Sequence, residues 1–358
     1  MHYIVQPYVF WKGHFRRYFE NLISEKYTCI YADSKDNLIR NSVFVPSFRI
    51  NYEKSLVSFA QARLVNSLKT VIALSKRFKI KNDSVHFIEF EPFSFLMFEC
   101  LTLFRKKRVL ITIHSVKPIR FQNRVKYAAS LLQRRVFTLL IRYGRRRGYK
   151  FVVHYQTHQK QLEGVLGSDR NIFVIDYPCP APKITKPKEL RGKKLLIYGQ
   201  IREDKGIYEF LVDERIQRLK ITIAGRIVDR RVLTICNSNY TFINEFLSLE
   251  QIHELFAQHD FLLLPYSPTY TGGAGPLKDG FAYATPVICP NWDLFREVVE
   301  VYGTGLLYNS PAEIETLLST INHETYRKLS LNCIKYAREN NWETMRSKYF
   351  RMYDYWAR

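Results

Sequence analysis

The sequence predicts an α/β fold with two doubly wound, Rossmann-like domains, each a parallel sheet with helices on both faces. Three observations lead to this prediction. The chain has 358 residues, which is more than a single hydrophobic core usually serves. Short apolar or β-branched runs alternate with helical patterns, and a proline-rich stretch interrupts that alternation near the middle. Hydrophobic residues make up 46% and charged residues 25% of the chain, which excludes overall disorder.

The sequence shows no pattern typical of a membrane-spanning helix, a signal peptide or a set of paired cysteines. No window reaches the roughly 18 uncharged apolar residues of a membrane-spanning helix. The first residues do not resemble a signal peptide, because Trp11, Lys12 and Gly13 directly follow Phe10. The six cysteines are far apart and form no CxxC pair, which argues against a zinc ribbon and against a disulfide framework. We therefore expect a soluble, cytoplasmic protein.

The first predicted domain, residues 1–182, is strongly basic. Residues 1–185 contain 32 basic and 12 acidic residues, so this half carries +20 of the total formal charge of +22. Between Glu99 and Glu163 there is no acidic residue, whereas 16 basic ones occur. This asymmetry predicts that the N-terminal half meets an anionic partner. Its predicted strands are Tyr3–Gln6, Thr28–Tyr31, Val85–Phe90, Val109–His114, Phe151–Tyr155 and Ile172–Asp176.

The segment from Arg120 to Tyr143 predicts an amphipathic basic helix. One interpretation is that its apolar stripe packs on the domain core and its basic face meets water. The other is that the helix rests on an anionic bilayer, where each nearby Lys or Arg contributes about 1 kcal/mol. A nucleic acid is a third candidate partner for the basic surface, although no zinc-finger or RNA-recognition signature is present. The stripe consists of Phe121, Val125, Ala128, Leu132, Val136, Leu139 and Tyr143.

The second predicted domain, residues 183–340, follows a proline-rich linker. The linker runs from Tyr177 to Lys194 and contains four prolines. The last segment, residues 341–358, predicts an aromatic helix that packs back on the N-terminal domain, with ordinary packing on its own core as the alternative. The predicted strands of this domain are Leu195–Tyr198, Lys220–Ala224, Tyr240–Ile243, Phe261–Leu264 and Pro286–Cys289.

The loop after the strand Leu195–Tyr198 carries two cations between two glycines. Gly199 closes the strand, Arg202 and Lys205 follow, and Gly206 comes next. At the carboxyl end of a strand, these cations could hold a diphosphate. Charged loops of this kind are also common without a ligand, so the spacing alone is a weak signal.

A glycine-rich stretch follows the strand Phe261–Leu264. Three glycines occupy the four positions 272–275, and Pro276 suits the first turn of a helix. This pattern predicts an anion-binding nest at a helix N-terminus. Asp279 lies one helical turn further on, where its carboxylate could accept hydrogen bonds from ribose hydroxyls. The alternative is a tight turn in which the glycines serve geometry only.

These two motifs resemble the nucleotide-sugar-binding domain of GT-B glycosyltransferases, especially glycosyltransferase family 4. The resemblance covers roughly residues 195–310 and thins in the N-terminal half to Gly13 and the strand-ending Thr112-Ile113-His114. Departures from the family pattern include Asp279 and Thr271 in place of its two glutamates. The positions that match are Gly199, Lys205 and Gly206 in the first motif, and Gly272, Pro276, Asp279, Ala282, Pro286 and Val287 in the second.

The resemblance implies specific roles for residues of this chain. His114, Lys205 and Arg202 would be catalytic, and Gly13 and His14 would line the acceptor side. The donor would be a UDP- or GDP-sugar, with no further cofactor. No Asp-x-Asp pair sits at a strand end, which predicts transfer without a metal. The donor-binding residues would be Gly199, Gly272, Gly273, Ala274, Gly275 and Asp279.

The implied reaction moves a sugar from a nucleotide diphosphate sugar to a saccharide or lipid-linked acceptor. Family 4 predicts retention of configuration, and a peripheral position at the inner face of the cytoplasmic membrane fits the basic N-terminal half. Surface polysaccharide or glycolipid synthesis is then the expected process. An inverting enzyme would need a base, for which Glu89 and Glu91 are candidates, unless they begin a helix. A nucleic-acid-binding protein and a catalytically inactive relative, which Thr271 would suit, are the alternatives from other classes.

Overall fold

The computed structural model describes residues 2–6, 14–22, 27–33, 42–46, 56–78, 83–102, 107–116, 124–268, 270 and 274–357. The chain divides into two compact units. Unit 1 comprises Met1–Val116, Leu132–Ile175 and Arg346–Arg358, and unit 2 comprises Lys117–Leu131 and Asp176–Met345. The change of unit at residue 176 precedes the sequence-predicted boundary at 182, and residues 117–131 group with unit 2 instead of unit 1.

Unit 1 contains a seven-stranded parallel sheet among its described residues, in the order β3-β2-β1-β4-β5-β6-β7. The sequence analysis missed β3. The strands are β1 (His2–Gln6), β2 (Tyr27–Asp33), β3 (Ser42–Pro46), β4 (Ser84–Phe87), β5 (Arg108–Ile113), β6 (Lys150–Val153) and β7 (Ile172–Val174). The helices described within residues 1–175 are α1 (His14–Leu22), α2 (Leu56–Ser75), α3 (Pro92–Leu101), α4 (Arg124–Arg146) and α5 (Gln156–Leu166).

Unit 2 contains a six-stranded parallel sheet in the order β10-β9-β8-β11-β12-β13 among its described residues. The sequence analysis missed β13. The α/β prediction of two doubly wound parallel sheets is confirmed. The strands are β8 (Leu195–Tyr198), β9 (Ile221–Ala224), β10 (Tyr240–Ile243), β11 (Phe261–Leu263), β12 (Val287–Pro290) and β13 (Gly305–Tyr308). The helices are α6 (Ile207–Leu211), α7 (Leu249–Gln258), α8 (Gly275–Ala282), α9 (Asp293–Tyr302), α10 (Glu313–Thr320), α11 (His323–Glu339) and α12 (Trp342–Ala357), of which α12 continues into unit 1.

Helix α4 buries a different face from the one that the sequence analysis favoured as a core face. Leu132, Val136 and Leu139 of the predicted stripe are 63%, 40% and 66% exposed. The opposite side carries Ile141, which is fully buried, and Phe137, which packs edge-to-face on Phe90. The core-packing interpretation therefore fails for Leu132, Val136 and Leu139, whereas Tyr143 at the end of the stripe does pack against the unit 1 core. Periodicity shows that a helix has an apolar face, but when two faces are apolar the neighbouring elements decide which is covered. Among the described residues, no helix combines the length and hydropathy needed to cross a bilayer.

The C-terminal helix α12 is held to the unit 1 sheet by a buried polar network. The Tyr353 hydroxyl lies 2.5 Å from His86 Nδ1, and His86 Nε2 lies 2.8 Å from Thr112 Oγ1. Thr112 Oγ1 in turn lies 3.0 Å from the Tyr349 hydroxyl. Burial lowers the pKa of His86 to about 3, so this ring is neutral and each nitrogen meets a hydroxyl. The helix thus contributes hydrogen bonds as well as aromatic area to β4 and β5.

Glu99 of α3 organises a second buried polar cluster in unit 1. Its carboxylate forms an ion pair with Lys107 Nζ at 3.0 Å, and both side chains are almost completely buried. The Tyr143 and Tyr149 hydroxyls donate hydrogen bonds to the two carboxylate oxygens at 2.9 and 2.7 Å. Burial lowers the pKa of Lys107, and the contact with Glu99 opposes that shift. Because Glu99 has three strong donors, its charge is compensated without water.

We expect Glu99→Ala to lower the free energy of unfolding by about 3–5 kcal/mol, because it leaves the Lys107 ammonium buried without its carboxylate. Replacing both partners, as in Glu99→Leu with Lys107→Met, should recover part of that loss, since no unpaired charge remains. Urea unfolding of the three variants measures the difference. Equal stability of the single and double variants would contradict the assigned role of the ion pair.

Candidate functional site

The strand order places a candidate site at the carboxyl ends of β8 and β11. In unit 2 the chain runs outward from β8 in one direction to β9 and from β11 in the other to β12. Open α/β sheets bind ligands outside the carboxyl ends of their strands, where the order reverses. The loops that begin at Gly199 and Pro265 follow the two strands at this point. Both glycine motifs of the sequence analysis lie in these loops.

Glycine is required where the loops after β8 and β9 meet α8. Gly199 has φ +104°, and a Cβ there would lie 2.9 Å from Pro276 Cγ. Gly225 has φ +127°, and a Cβ there would lie 2.2 Å from the carbonyl oxygen of Gly199. Side chains rarely adopt these backbone angles and have no room at either position. The first turn of α8, which contains Pro276, is thereby held against the end of β8.

The Lys205 loop is fixed to the segment after β11. Residues Glu203–Lys205 form a 3-10 turn that ends at Gly206, whose φ is +72°. The backbone N–H of Ser267 donates a hydrogen bond to the Lys205 carbonyl at 2.7 Å. A Cβ on Gly206 would lie 2.9 Å from Ser267 Cβ. The two loops therefore pack backbone to backbone, and the position of Lys205 does not depend on its side chain.

The Lys205 ammonium is buried without a carboxylate partner. The residue is 4% exposed, and Nζ lies 4.8 Å from the centroid of the Tyr266 ring. Among the described residues, no acceptor takes a hydrogen bond from Nζ. Burial and the charge of Arg202 lower the pKa of Lys205 to about 7. A buried ammonium with no paired anion is costly, which is typical of groups that serve a ligand.

The neighbouring Arg202 and Tyr266 side chains differ in whether the described residues supply them with a hydrogen-bond partner. The Arg202 guanidinium donates two hydrogen bonds to Asp204, each 2.9 Å long, so the chain already supplies its anion. The Tyr266 hydroxyl is buried and has no hydrogen-bond partner among the described residues. The sequence analysis missed Tyr266, although its position just after β11 was a usable signal. Lys205 and Tyr266 together present two donors to an anionic or oxygen-rich group.

Helix α8 begins where the sequence analysis expected. Ala274 is its N-cap with φ +37°, and Pro276 lies in its first turn. Gly272, Gly273 and Thr271 lie outside the described residues. Asp279 lies one turn into α8 and is partly exposed, and its charge contributes to the raised pKa of Tyr283. The helix N-terminus thus faces the same sheet edge as Gly199, where its dipole favours an anion.

The carboxyl ends of β1 and β4 form the corresponding place in unit 1. The order of that sheet reverses between these two strands. Gln6 ends β1, is fully buried, and donates a hydrogen bond from Nε2 to Glu89 Oε2 at 3.0 Å. Gln6 Oε1 is buried and lacks a partner among the described residues. Glu91 is the N-cap of α3 and accepts hydrogen bonds from the backbone of Phe93 and Ser94, so the helix-start interpretation of this glutamate is correct.

His114 lies just after β5, and the structure engages both of its ring nitrogens. Nε2 donates a hydrogen bond to the Ile88 carbonyl at 2.8 Å, and Nδ1 lies 2.9 Å from His154 Nε2. Burial lowers the pKa of His114, and the hydrogen bond to the Ile88 carbonyl opposes that shift. The sequence analysis missed His154 because it placed this residue inside a strand. The catalytic role of His114 stays a prediction, and its contacts also fit a histidine with a purely structural role.

Two further predicted positions concern the acceptor side. Gly13 lies outside the described residues, and His14 begins α1 without a described side chain. Among the described residues, no group of three or more His, Cys, Asp or Glu side chains could hold a metal ion.

Comparison with solved structures identifies the architecture. No family model and no curated protein matches the sequence. The structure is similar to a sucrose-phosphate synthase from Thermosynechococcus elongatus, with 14% identity, 99% of this chain and 98% of that chain covered, and a TM-score of 0.73.

Two further structures are similar to this chain. A UDP-forming alpha,alpha-trehalose-phosphate synthase from Burkholderia vietnamiensis has 10% identity, with 99% of both chains covered and a TM-score of 0.67. WaaG, a glycosyltransferase involved in lipopolysaccharide biosynthesis, has 13% identity, with 98% and 99% covered and a TM-score of 0.61. The chain has the GT-B fold of these enzymes, which confirms the fold expected from the sequence resemblance.

We expect Lys205→Met to raise the free energy of unfolding of the ligand-free protein, because it removes a buried charge that has no paired anion. The folded pKa of about 7 lies below the ordinary value of 10.5. The unfolded state therefore binds the proton more tightly, and the wild type becomes more stable as pH rises from 7 towards 10.5. The gain in the free energy of unfolding of Lys205→Met over the wild type should thus be largest near pH 7 and shrink towards pH 10. Denaturant unfolding at several pH values measures it, and a destabilised variant at pH 7 would contradict the analysis.

Proposed function

We propose that this protein is a glycosyltransferase that takes a sugar from a nucleotide diphosphate sugar. The observation that carries the proposal is the buried Lys205 ammonium over the ring of Tyr266, whose buried hydroxyl has no hydrogen-bond partner among the described residues, at the point where the unit 2 sheet reverses its order. Both donors lack a protein acceptor among the described residues. The GT-B fold, shared with solved sugar-transferring synthases, supports the same activity.

Sugar transfer develops negative charge on the leaving diphosphate while the anomeric carbon becomes oxocarbenium-like. A protein lowers that barrier with cations and dipoles held where the charge appears. Lys205 would supply a fixed cation, and the N-terminus of α8 would supply backbone N–H groups and a helix dipole. Because the two loops are locked by backbone contacts, little reorganisation is needed at the moment of reaction. Arg202, already paired with Asp204, would act at longer range.

The donor is proposed to be a UDP- or GDP-sugar, bound without a metal, and configuration is proposed to be retained. A trehalose synthase structure of similar fold, with 10% identity, is described with UDP-2-fluoro glucose bound, which supports a nucleotide-sugar donor. Asp279 would accept hydrogen bonds from the ribose, as inferred from its place one turn into α8. The acceptor is proposed to be a saccharide or a lipid-linked saccharide in polysaccharide or glycolipid synthesis.

We expect one nucleoside diphosphate of a panel to raise the melting temperature of the protein. Lys205→Met should abolish or strongly reduce that rise, since each lost charge-assisted hydrogen bond costs about 1.5–3 kcal/mol, or about 10- to 150-fold in affinity. Lys328→Met is the matched control, because Lys328 is an exposed lysine of α11. Mass spectrometry of products from a nucleotide-sugar panel with a lipid extract then tests transfer. A protein that responds to no nucleoside diphosphate would overturn the proposal.

We further propose that the protein works at an anionic membrane surface on the cytoplasmic side, through α4. Leu132, Val136 and Leu139 lie at spacings of four and three, so they share one face of the helix. All three are solvent-exposed. Arg135 and Arg142 are exposed on the same helix.

The charge around this helix complements an anionic bilayer. No acidic residue occurs between Glu99 and Glu163, where 16 basic residues occur. An apolar ridge flanked by arginines suits the interface between headgroups and acyl chains. A surface of this kind would bring the enzyme to a lipid-linked acceptor.

We expect the protein to sediment with phosphatidylglycerol-containing vesicles and not with phosphatidylcholine vesicles. Leu132→Ser with Leu139→Ser should weaken vesicle binding by about 5- to 30-fold per leucine, because each inserted leucine contributes about 1–2 kcal/mol. The matched control is Leu249→Ser with Leu331→Ser, which changes two exposed leucines of unit 2. Equal binding to both vesicle types, or equal loss in both double variants, would contradict a specific membrane surface on α4.

A further inference from the structure

The contacts of His114 and His154 require more protons than two neutral imidazole rings carry. His114 Nε2 lies 2.8 Å from the Ile88 carbonyl oxygen, and His154 Nδ1 lies 2.9 Å from the Ile175 carbonyl oxygen. A carbonyl oxygen only accepts hydrogen bonds, so both of these nitrogens must carry protons. The two remaining nitrogens, His114 Nδ1 and His154 Nε2, lie 2.9 Å apart.

Two neutral rings cannot satisfy all three contacts at once. A neutral imidazole carries one N–H, and in each ring that proton already faces a carbonyl. The nitrogens that face each other would then both present lone pairs at hydrogen-bond distance. One additional proton between them converts this repulsion into an N–H···N hydrogen bond. No other assignment of protons to the two rings gives every one of the three contacts a donor and an acceptor.

We propose that His114 and His154 share one additional proton, so that the pair carries a single positive charge at neutral pH and His154 is a positioning residue for His114. The proton comes from solvent, and no bond between heavy atoms changes. The inference goes beyond the proposed function and does not depend on it. It gives the carboxyl edge of the unit 1 sheet, where β5 and β6 end, a fixed cation.

Burial works against this charge, and the hydrogen bonds work for it. Desolvation lowers the pKa of His114, whereas the hydrogen bond to the Ile88 carbonyl raises it. In the protonated pair every ring nitrogen has a partner, and the charge spreads over two rings, which reduces the cost of burial. The pair titrates as one coupled unit. The titratable groups that contact the pair or interact with its charge are Tyr18 of α1, whose ring packs on both imidazoles, and His86 of β4, whose pKa is lowered by burial and by the charge of His114.

Two other buried histidines, His259 and His86, have no such conflict. His259 Nδ1 donates a hydrogen bond to the Leu255 carbonyl at 2.7 Å, and its Nε2 accepts one from the Thr222 hydroxyl at 2.7 Å. A single proton therefore satisfies that ring. His86 meets a hydroxyl on each side and is likewise satisfied when neutral. His259 is the internal reference for a neutral buried imidazole in the experiment below.

The test is nitrogen NMR of the full chain labelled with ¹⁵N-histidine. At pH 7 we expect one proton that correlates with nitrogens of both His114 and His154, together with protonated His114 Nε2 and His154 Nδ1, while His259 shows one protonated nitrogen. His154→Gln should abolish the shared-proton signal and leave His114 neutral. Raising the pH should remove the shared proton and shift the nitrogen signals of both rings together, without moving those of His259.

The variant Tyr18→Phe distinguishes the shared proton from an alternative in which both rings are neutral and the Tyr18 hydroxyl donates a hydrogen bond to His154. The Tyr18 hydroxyl lies 3.2 Å from His154 Nε2, and in the rival arrangement it donates the hydrogen bond that this nitrogen accepts. The shared proton should survive Tyr18→Phe, because the phenyl ring keeps the packing and removes only the hydroxyl. Two neutral rings in the wild type at pH 7, or loss of the shared-proton signal in Tyr18→Phe, would overturn the proposal.

Discussion

The close approach of two backbones at the carboxyl ends of β8 and β9 is the constraint on which the unit 2 site depends. A Cβ at Gly225 would come within 2.2 Å of the Gly199 carbonyl oxygen, and one at Gly199 would press on Pro276. These contacts set the first turn of α8 beside the end of β8. Lys205 then follows on a loop that is itself fixed by the hydrogen bond from Ser267. Backbone contacts therefore fix the loops that carry the polar side chains of the site.

The two units differ in whether a buried charged side chain has a partner of opposite charge. Glu99 and Lys107 form an ion pair that two tyrosine hydroxyls complete, so the cluster joins α3, α4 and β6 without leaving an unpaired charge. Lys205 is also buried, and its ammonium lies over the face of the Tyr266 ring without an ion pair to any described carboxylate. A cation–π contact offsets only part of the cost of burial. The first arrangement compensates its charge within the fold, whereas the second leaves the Lys205 ammonium without a paired carboxylate among the described residues.

Helix α4 shows how an amphipathic pattern can mislead about its partner. The stripe through Leu132, Val136 and Leu139 has the spacing of a core-facing surface, yet these residues point to solvent. The core instead receives Ile141 and Phe137 from another side of the same helix. A helix with two apolar faces needs two apolar environments, and the protein core supplies one of them. The exposed face of α4 is the surface that the proposed contact with an anionic membrane would use.

The sequence by itself determined the alternation of strands and helices, the glycine positions of unit 2 and the start of α8 at Pro276. These features are local, because backbone angles, strand periodicity and helix caps depend on near neighbours in the chain. Strands β3 and β13 escaped the sequence analysis, since what makes each a strand is its pairing with a distant neighbour.

Only the tertiary structure decided which side chains of the site have partners. In the part of the chain that the structure describes, the Tyr266 hydroxyl has no hydrogen-bond partner, whereas His114 contacts His154, 40 residues away in the sequence. Hydrogen-bond satisfaction depends on groups that meet only after folding. Sequence spacing can therefore place a residue at a strand end, but it does not reveal whether that residue is free to act.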